Sequence, residues 1–312
     1  MSKFDFKKGI KDLGNGVYAY VQPDGTWGWS NAGLIVDEGE ALLVDTLYDM
    51  SLTNEMLKAF KETVPNLGSI DTIVNTHDNG DHWFGNAAVN AKEIITTTLS
   101  AKNMAGYTPD DMLRDMTSKE FPPEVHKYLQ DNFGMFDYNN ITPALPTRTF
   151  DGRLDLMVGS KKVELIEVGP AHTDGDLIVH VPHARTVFAA DMLFIGGHQT
   201  MWVGPVANFI KAIDLMISFD PEYIVPGHGP VVTQAQALEI KEYWEYYRDE
   251  AKIRYDKGME SFTAAKDIPL GKYAKYTNPD RIALNLDVLY REFSNTKEPF
   301  SQAKEFVNMA RY

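Results

Sequence analysis

The sequence predicts an α/β protein in which two strand-rich halves form a sandwich of sheets with helices outside. Three observations carry this expectation. Strands, a helix and further strands recur twice before residue 230. A polar, helix-like stretch at 100–145 interrupts the strand pattern as an insertion. A charged, mostly helical tail fills 233–312. Each sheet must bury an apolar face, and stacking two sheets between outer helices is one of the few stable solutions.

The first half opens with a strand at 16–21, where Val17, Ala19 and Val21 alternate with Tyr18 and Tyr20. Alternation of period two places side chains on opposite faces of a strand. Apolar runs at 33–36 and 41–44 flank Asp37-Glu38-Gly39-Glu40, which has the composition of a turn. Leu52, Met56, Ala59 and Phe60 recur at helical spacing, so 51–63 is expected to be a helix on that sheet. The run 70–75 is the next strand. The insertion carries Met104, Met112, Met116 and several aromatic residues. It is expected to be either a small helical unit with its own core or a lid over an apolar site, Met being an adaptable pocket liner. Strands resume at 154–157, 163–168, 177–181 and 186–189, with turns at Asp151-Gly152 and Gly159-Ser160. A helix at 205–218 and a strand at 223–225 close the second half. In the tail, Ile240, Tyr243, Trp244 and Tyr247 mark a long helix at 239–255, and another starts after Pro279. Residues 1–232 are thus expected to form one catalytic unit, and 233–312 to pack on it or on a homodimer partner.

Bulk composition excludes several function classes. The chain has 312 residues and no Cys, so it carries neither disulfides nor thiolate metal ligands. Any metal must be held by imidazole and oxygen, which suits Zn, Mn, Fe or Ni. A formal charge of −14 repels phosphate backbones and anionic lipid, so neither nucleic acid nor membrane is an expected partner. The first residues lack an apolar signal core, and no run reaches membrane-spanning length. The expectation is a cytoplasmic protein with a small-molecule substrate.

Residues 76–82 read Thr-His-Asp-Asn-Gly-Asp-His, directly after a strand. His77, Asp81 and His82 each offer a lone pair to a divalent cation, and Asn79 stands among them. Three further clusters also follow β-like runs: Gly169-Pro170-Ala171-His172-Thr173-Asp174-Gly175-Asp176, then Ala189-Ala190-Asp191, then Pro226-Gly227-His228-Gly229. A lone His is usually structural. Four such clusters at strand ends point to one metal site presented by a sheet scaffold.

With Leu42-Leu43-Val44-Asp45-Thr46, Thr149-Phe150-Asp151 and Trp202–Phe209 added, the stretch 15–230 resembles the metallo-β-lactamase-fold hydrolases. The resemblance implies an αββα sandwich with the metal site at one sheet edge. It assigns His77, residue 79 and His172 to one metal site. Asp81, His82 and His228 go to a second, with Asp191 bridging. The departure is Asn79, where the family usually has His. An amide oxygen is a poorer ligand for zinc-like ions than imidazole. The second site is therefore expected to be complete and the first compromised, giving one or two ions per chain, with Zn the leading choice. Asp81 and Asp191 are the candidates for receiving a proton from the nucleophilic water.

Other residues receive lesser expectations. Asp45 is expected to orient a ligand His. Asp78 is read as solvated loop, and Asp174 and Asp176 as loop or supporting groups. His180 and His183 are expected at the surface, His126 in packing, and Trp83 beneath the metal loop. Trp27, Trp29, His198 and Trp202 are candidate pocket residues. The expected activity is metal-dependent hydrolysis of a small, fairly apolar ester, lactone, thioester or amide. The alternatives are a single-metal hydrolytic dehalogenase of an aromatic substrate, a mononuclear-iron oxidoreductase and an inactive scaffold.

Overall fold

The structure, a computed structural model, describes residues 5–139 and 141–312. Its first sheet begins with an antiparallel meander, β1 (Gly9–Gly14), β2 (Val17–Val21), β3 (Ala32–Asp37) and β4 (Glu40–Val44). The expected turn between the last two is a two-residue hairpin loop with Asp37 opposite Glu40. Glu38 and Gly39 both take positive φ, 49° and 86°, as the tightest hairpin turns require. Helix α1 (Met50–Thr63) is capped by Asp49, whose side chain accepts from the Leu52 amide. It buries Thr53, Met56 and Phe60 and leads to β5 (Thr72–Val74). After the short α2 (Asn86–Val89), the sheet continues in parallel with β6 (Glu93–Thr97). The insertion follows as α3 (Thr98–Gly106), α4 (Pro109–Thr117) and α5 (Pro123–Phe133), and β7 (Arg148–Phe150) closes the sheet.

The second sheet repeats the plan. An antiparallel set, β8 (Arg153–Val158), β9 (Lys161–Glu167), β10 (Leu177–Val181) and β11 (Thr186–Phe194), is followed by α6 (Val206–Ser218) and the parallel β12 (Tyr223–His228). The two sheets face each other through Val17, Ile35, Leu42, Val44 and Val74 against Leu165, Leu177, Val179 and Val225. Leu43 lies between Leu42 and Val44 in sequence and points the other way, onto Met56 and Phe60 of α1. The other outer face, with Ile178, Val187 and Ile224, is covered by α6 and the tail. The result is an αββα sandwich of the metallo-β-lactamase type.

The tail comprises α7 (Gln234–Asp256), α8 (Ser261–Asp267), α9 (Arg281–Ser294) and α10 (Gln302–Arg311). Of the two readings of the insertion, a separate core is not what forms. Met104, Val125, Leu129 and Phe133 join the same apolar cluster as Phe209, Trp244, Leu286 and Met309. Insertion and tail meet where α10 packs on α5.

On the buried face of α10, Glu305 is 1 % exposed and its Oε1 has no hydrogen-bond partner. Burial and the neighbouring Asp287 push its carboxyl up to about 7. Because the folded value exceeds the unfolded one, stability is highest at acid pH and falls as pH rises from about 4.5 through 7. Glu305→Gln should therefore match the parent near pH 4 and exceed it by on the order of 1–3 kcal/mol at pH 8. Thermal melts across that range check this, and equal melting curves at pH 8 contradict it.

Candidate metal centre

The loop after β5 is fastened before it reaches the site. The Thr76 amide and hydroxyl donate to the two Asp45 carboxylate oxygens at 2.7 Å each, and Asn75 Nδ2 donates to the His82 carbonyl at 2.9 Å. Asp45 itself follows β4 in the left-handed region, φ 60°, which an Asp tolerates better than most residues. Its Oδ2 also lies 2.9 Å from His82 Nδ1, so the carboxylate sets that ring's orientation. A 3-10 turn at Gly80–His82 then buries Asp81 and His82 together.

The second sheet delivers the opposing side chains. His172 stands in the β9–β10 loop, with Nδ1 2.8 Å from the Thr200 carbonyl. Asp191 lies where the β11–β12 register shifts, next to Ala190 at φ 48°, and such an irregularity re-aims a strand side chain. A Cβ at Gly227 would sit 1.8 Å from Asp191 Oδ1, so only glycine leaves room for this carboxylate. His228 ends β12 and stacks on Phe194, with ring centroids 4.7 Å apart at 9°.

Asp191 is the hub. Its carboxylate oxygens lie 3.2 Å from His82 Nε2, 3.2 Å from His172 Nε2, 3.5 Å from His228 Nε2 and 3.7 Å from His77 Nε2. Asp81 Oδ2 approaches His228 Nε2 at 3.3 Å and His82 Nε2 at 3.7 Å. The ligand atoms of Asp81, His82 and His228 all lie within 4.8 Å of one another, as do those of His77, His82 and Asp191.

Electrostatics divide the imidazoles into two pairs. Burial opposes charge on His82, but Asp191, Asp81 and Asp45 outweigh it and raise its pKa well above the usual value. His228 is likewise raised despite burial, by Asp191 and Asp81. His77 is pushed well below the usual value by burial and the nearby His82, and His172 is lowered chiefly by burial. Negative potential thus concentrates around His82 and His228, where a cation is most stabilised.

A divalent cation fits these residues. His77 Nε2, His82 Nε2 and Asp191 Oδ1 are buried without a hydrogen-bond partner, an arrangement that costs free energy unless something electropositive joins them. Asn79 differs. His172 Nδ1 faces a carbonyl and must donate, so the neutral ring presents a lone pair at Nε2. That atom lies 2.6 Å from Asn79 Oδ1. Two acceptors at this distance require either a cation between them or an amide turned to present its N–H.

A cavity of about 190 Å³ opens over these groups. Trp27, Tyr48, Phe133, Phe194, Trp202 and Phe306 supply its aromatic walls, and among the described residues no Lys or Arg lines it. Trp27 and Trp202 therefore stand where pocket residues were expected. Trp29 does not; it is half-buried and packs on Phe136 at 5.1 Å. His198 also requires correction. The chain turns away after β11, the His198 amide donates to the Thr277 carbonyl, and the ring is fully buried beside the Tyr243 hydroxyl. His180 is not at the surface but 6 % exposed, paired with Glu164 and stacked on Phe219. His183 is exposed, His126 packs on Phe121, and Trp83 is buried with its Nε1 on the Asp78 carbonyl. Asp174 accepts from Asn103, and Asp176 from Thr173. Asp78, expected in solvent, lines the pocket; burial raises its carboxyl to about 6.

Sequence reasoning missed Arg281. Its side chain is fully buried, 4.1 Å over the Trp27 ring and 4.7 Å over the Phe194 ring. The neighbouring Asp280 accepts from Trp27 Nε1 at 3.3 Å and from the Tyr128 hydroxyl at 2.5 Å. Nothing local in the tail sequence signals this role.

Known proteins resemble this chain in sequence or in fold. A family profile described as "Metallo-beta-lactamase superfamily" matches residues 25–228. The 2,4-dinitroanisole O-demethylase subunit alpha of Nocardioides sp. (strain JS1661) is 26% identical over 212 residues, covering 65% of this chain and 54% of that protein. A beta-lactamase-like protein 2 homolog of Drosophila melanogaster is 26% identical over 171 residues, 53% of this chain and 47% of that protein. The chain thus spans about half the length of the curated relatives it matches. Among solved structures, the stereoselective inverting sec-alkylsulfatase Pisa1 from Pseudomonas sp. superposes with a TM-score of 0.72 at 14% identity, over 94% of this chain and 52% of that one. A metallo-beta-lactamase from Pontibacter korlensis gives 0.54 at 17% identity, over 77% and 99%. The first superposition leaves too few residues aside to omit the helical tail, so the likeness in fold extends into it.

Proposed function

Since the chain belongs to the metallo-beta-lactamase superfamily, we propose that it is a metal-dependent hydrolase of small, neutral, largely apolar esters, lactones, thioesters or amides. The observation that carries this reading is a pocket whose floor is metal-ligating and whose walls are aromatic and free of cationic side chains. Among the described residues no Lys or Arg lines the pocket to pair directly with an anionic substrate, the Arg281 guanidinium being buried behind the Trp27 and Phe194 rings. That argues for a neutral substrate, in contrast to the sulfate ester implied by the alkylsulfatase's name.

Asp81, His82, His228 and Asp191 would hold the principal ion, for which zinc suits the mixed imidazole and carboxylate donors. A divalent cation there supplies a Lewis acid that polarises the acyl oxygen and lowers the pKa of a water toward ~7. The chain's own groups do the rest. Asp45 fixes the His82 ring, and the Thr200 carbonyl fixes His172. The aromatic walls exclude bulk water and strengthen every polar contact inside. The attacking water forms the new bond to the acyl carbon. Its proton passes to a carboxylate oxygen of Asp81 or Asp191 and on to the departing alkoxide, thiolate or amine. Asn79 turns its amide N–H to His172 Nε2, so the first site lacks that lone pair and one ion serves per chain.

A second reading is hydrolytic displacement on an activated aromatic ring. It is favoured by the relative named for O-demethylation of 2,4-dinitroanisole, and the ring-sized pocket accommodates it. The test is to strip the protein with chelator, reload it with zinc, and compare a phenyl ester, a lactone, a thioester, 2,4-dinitroanisole and an alkyl sulfate. Hydrolysis of a neutral substrate that appears on reloading, with none of the sulfate, is expected. Equal activity before and after reloading, or turnover of the sulfate alone, would sink the reading.

A further inference from the structure

The cavity of about 190 Å³ is little larger than the roughly 150 Å³ apolar cavity that accepts benzene. It has room for one substituted ring or a short chain. Beyond it lies a groove of about 840 Å³ between the α4–α5 turn and α10, with Lys119, Phe121, Pro122 and Val307 among its walls. Gln302 and Phe306 line both spaces. The Phe306 ring meets Trp202 edge-on at 6.3 Å on the pocket side and Phe121 at 6.3 Å on the groove side. Phe306 is 6 % exposed, whereas Gln302 is exposed. Both belong to α10, which is anchored elsewhere by Arg311 on Glu124 at 2.7 Å and by the Tyr128 hydroxyl on Met309 at 3.6 Å.

We propose that Phe306, aided by Gln302, is the specificity-determining wall that limits the group beside the metal ligands to one ring or a short chain. Removing that wall joins the pocket to the groove. The claim rests on the metal-site reading only for which end of the pocket is reactive. The partition itself is a matter of shape. Phe306 meets other rings edge-on on both sides, and truncating it removes the larger of the two side chains that, among the described residues, line both spaces. The groove offers apolar surface at Phe121, Pro122 and Val307, so an alkyl extension gains burial there once the wall is gone.

Binding of 4-alkylphenols to zinc-loaded protein, measured by calorimetry, tests the wall without requiring turnover. In the parent chain, affinity should hold from phenol to 4-ethylphenol and then fall for the 4-butyl and 4-hexyl compounds. Phe306→Ala should leave phenol within about twofold and tighten 4-hexylphenol by about tenfold or more, since each methylene newly buried is worth roughly fourfold. Gln302→Ala, at an exposed position that does not threaten folding, should shift 4-hexylphenol in the same direction by less. A parent chain that binds ever tighter with length would overturn the proposal. So would variants that shift every ligand equally. If the length pattern appears while no ester is hydrolysed, the hydrolase reading fails and the wall stands. If esters are hydrolysed without the pattern, the reverse holds.

Discussion

Asp191→Ala is expected to lose its divalent metal and its hydrolytic activity together. Asp191 is the side chain that approaches all four site imidazoles, at 3.2 to 3.7 Å. Its own carboxyl opposes burial with the fields of His228, His82, His172 and His77, which hold it well below the usual carboxylate value. Removing it leaves buried imidazoles with no anion between them, and a dication there would lose half of its carboxylate ligands. The loss in kcat/KM should be on the order of 10³-fold or more, exceeding the 10–100-fold typical of losing a group that only orients a ligand. Asp45→Asn supplies that comparison. Its amide still fills the space beside His82 but no longer offers two acceptor oxygens to Thr76 and the ring, so metal affinity should fall about 10–100-fold with the ligand set intact. Metal per chain by mass spectrometry and affinity by chelator competition separate the two. If Asp191→Ala retains a full equivalent of metal, the assignment of the centre is wrong.

Asn79→His should raise the metal content from one ion toward two per chain. In the parent, His172 Nδ1 is committed to the Thr200 carbonyl, and Nε2 meets the Asn79 amide at 2.6 Å. An imidazole at 79 contributes a lone pair of its own and no longer ties up that of His172. The second ion should bind more weakly than the first, because burial outweighs the carboxylate fields at His77 and His172, whereas the carboxylates outweigh burial at His82 and His228. Activity should change much less than stoichiometry, since Asp81, His82 and His228 are untouched. Two equivalents in the parent protein would show that Asn79 is itself a ligand.

Much of this was legible in the chain, for identifiable reasons. β10 occupies 177–181, the run expected as a strand, and α1 and α6 begin within a residue of their expected starts. His77, Asp81, His82 and His172 follow strands and His228 ends one, and local pattern is enough to find a strand end; Asp191 instead lies inside β11, which runs on to Phe194 where the strand was expected to stop at 189. β6 and β7 escaped notice because each is short, and β7 is largely exposed, so neither carries a clear apolar pattern. His198 misled for a different reason. Sequence distance from Asp191 suggested proximity, whereas the chain reverses at Gly196 and Gly197 and pairs with Thr277. Arg281, Gln302 and Phe306 were invisible for the same reason in reverse: their partners lie far away in sequence. Asp78 read as solvated because its neighbours are polar, whereas it is half-buried in the pocket lining beside Asn103 of α3 and Thr173.

Every candidate metal ligand precedes residue 232, whereas Gln302 and Phe306 line the pocket, and Asp280 and Arg281 brace its wall, from beyond it. The reacting groups therefore lie on one stretch of the gene, while part of the substrate-selecting wall lies on another. Descendants of this chain can trade or remodel the last three helices and try new substrates while their ligand set stays intact. Remodelling α10 between relatives is a direct route to altered selectivity.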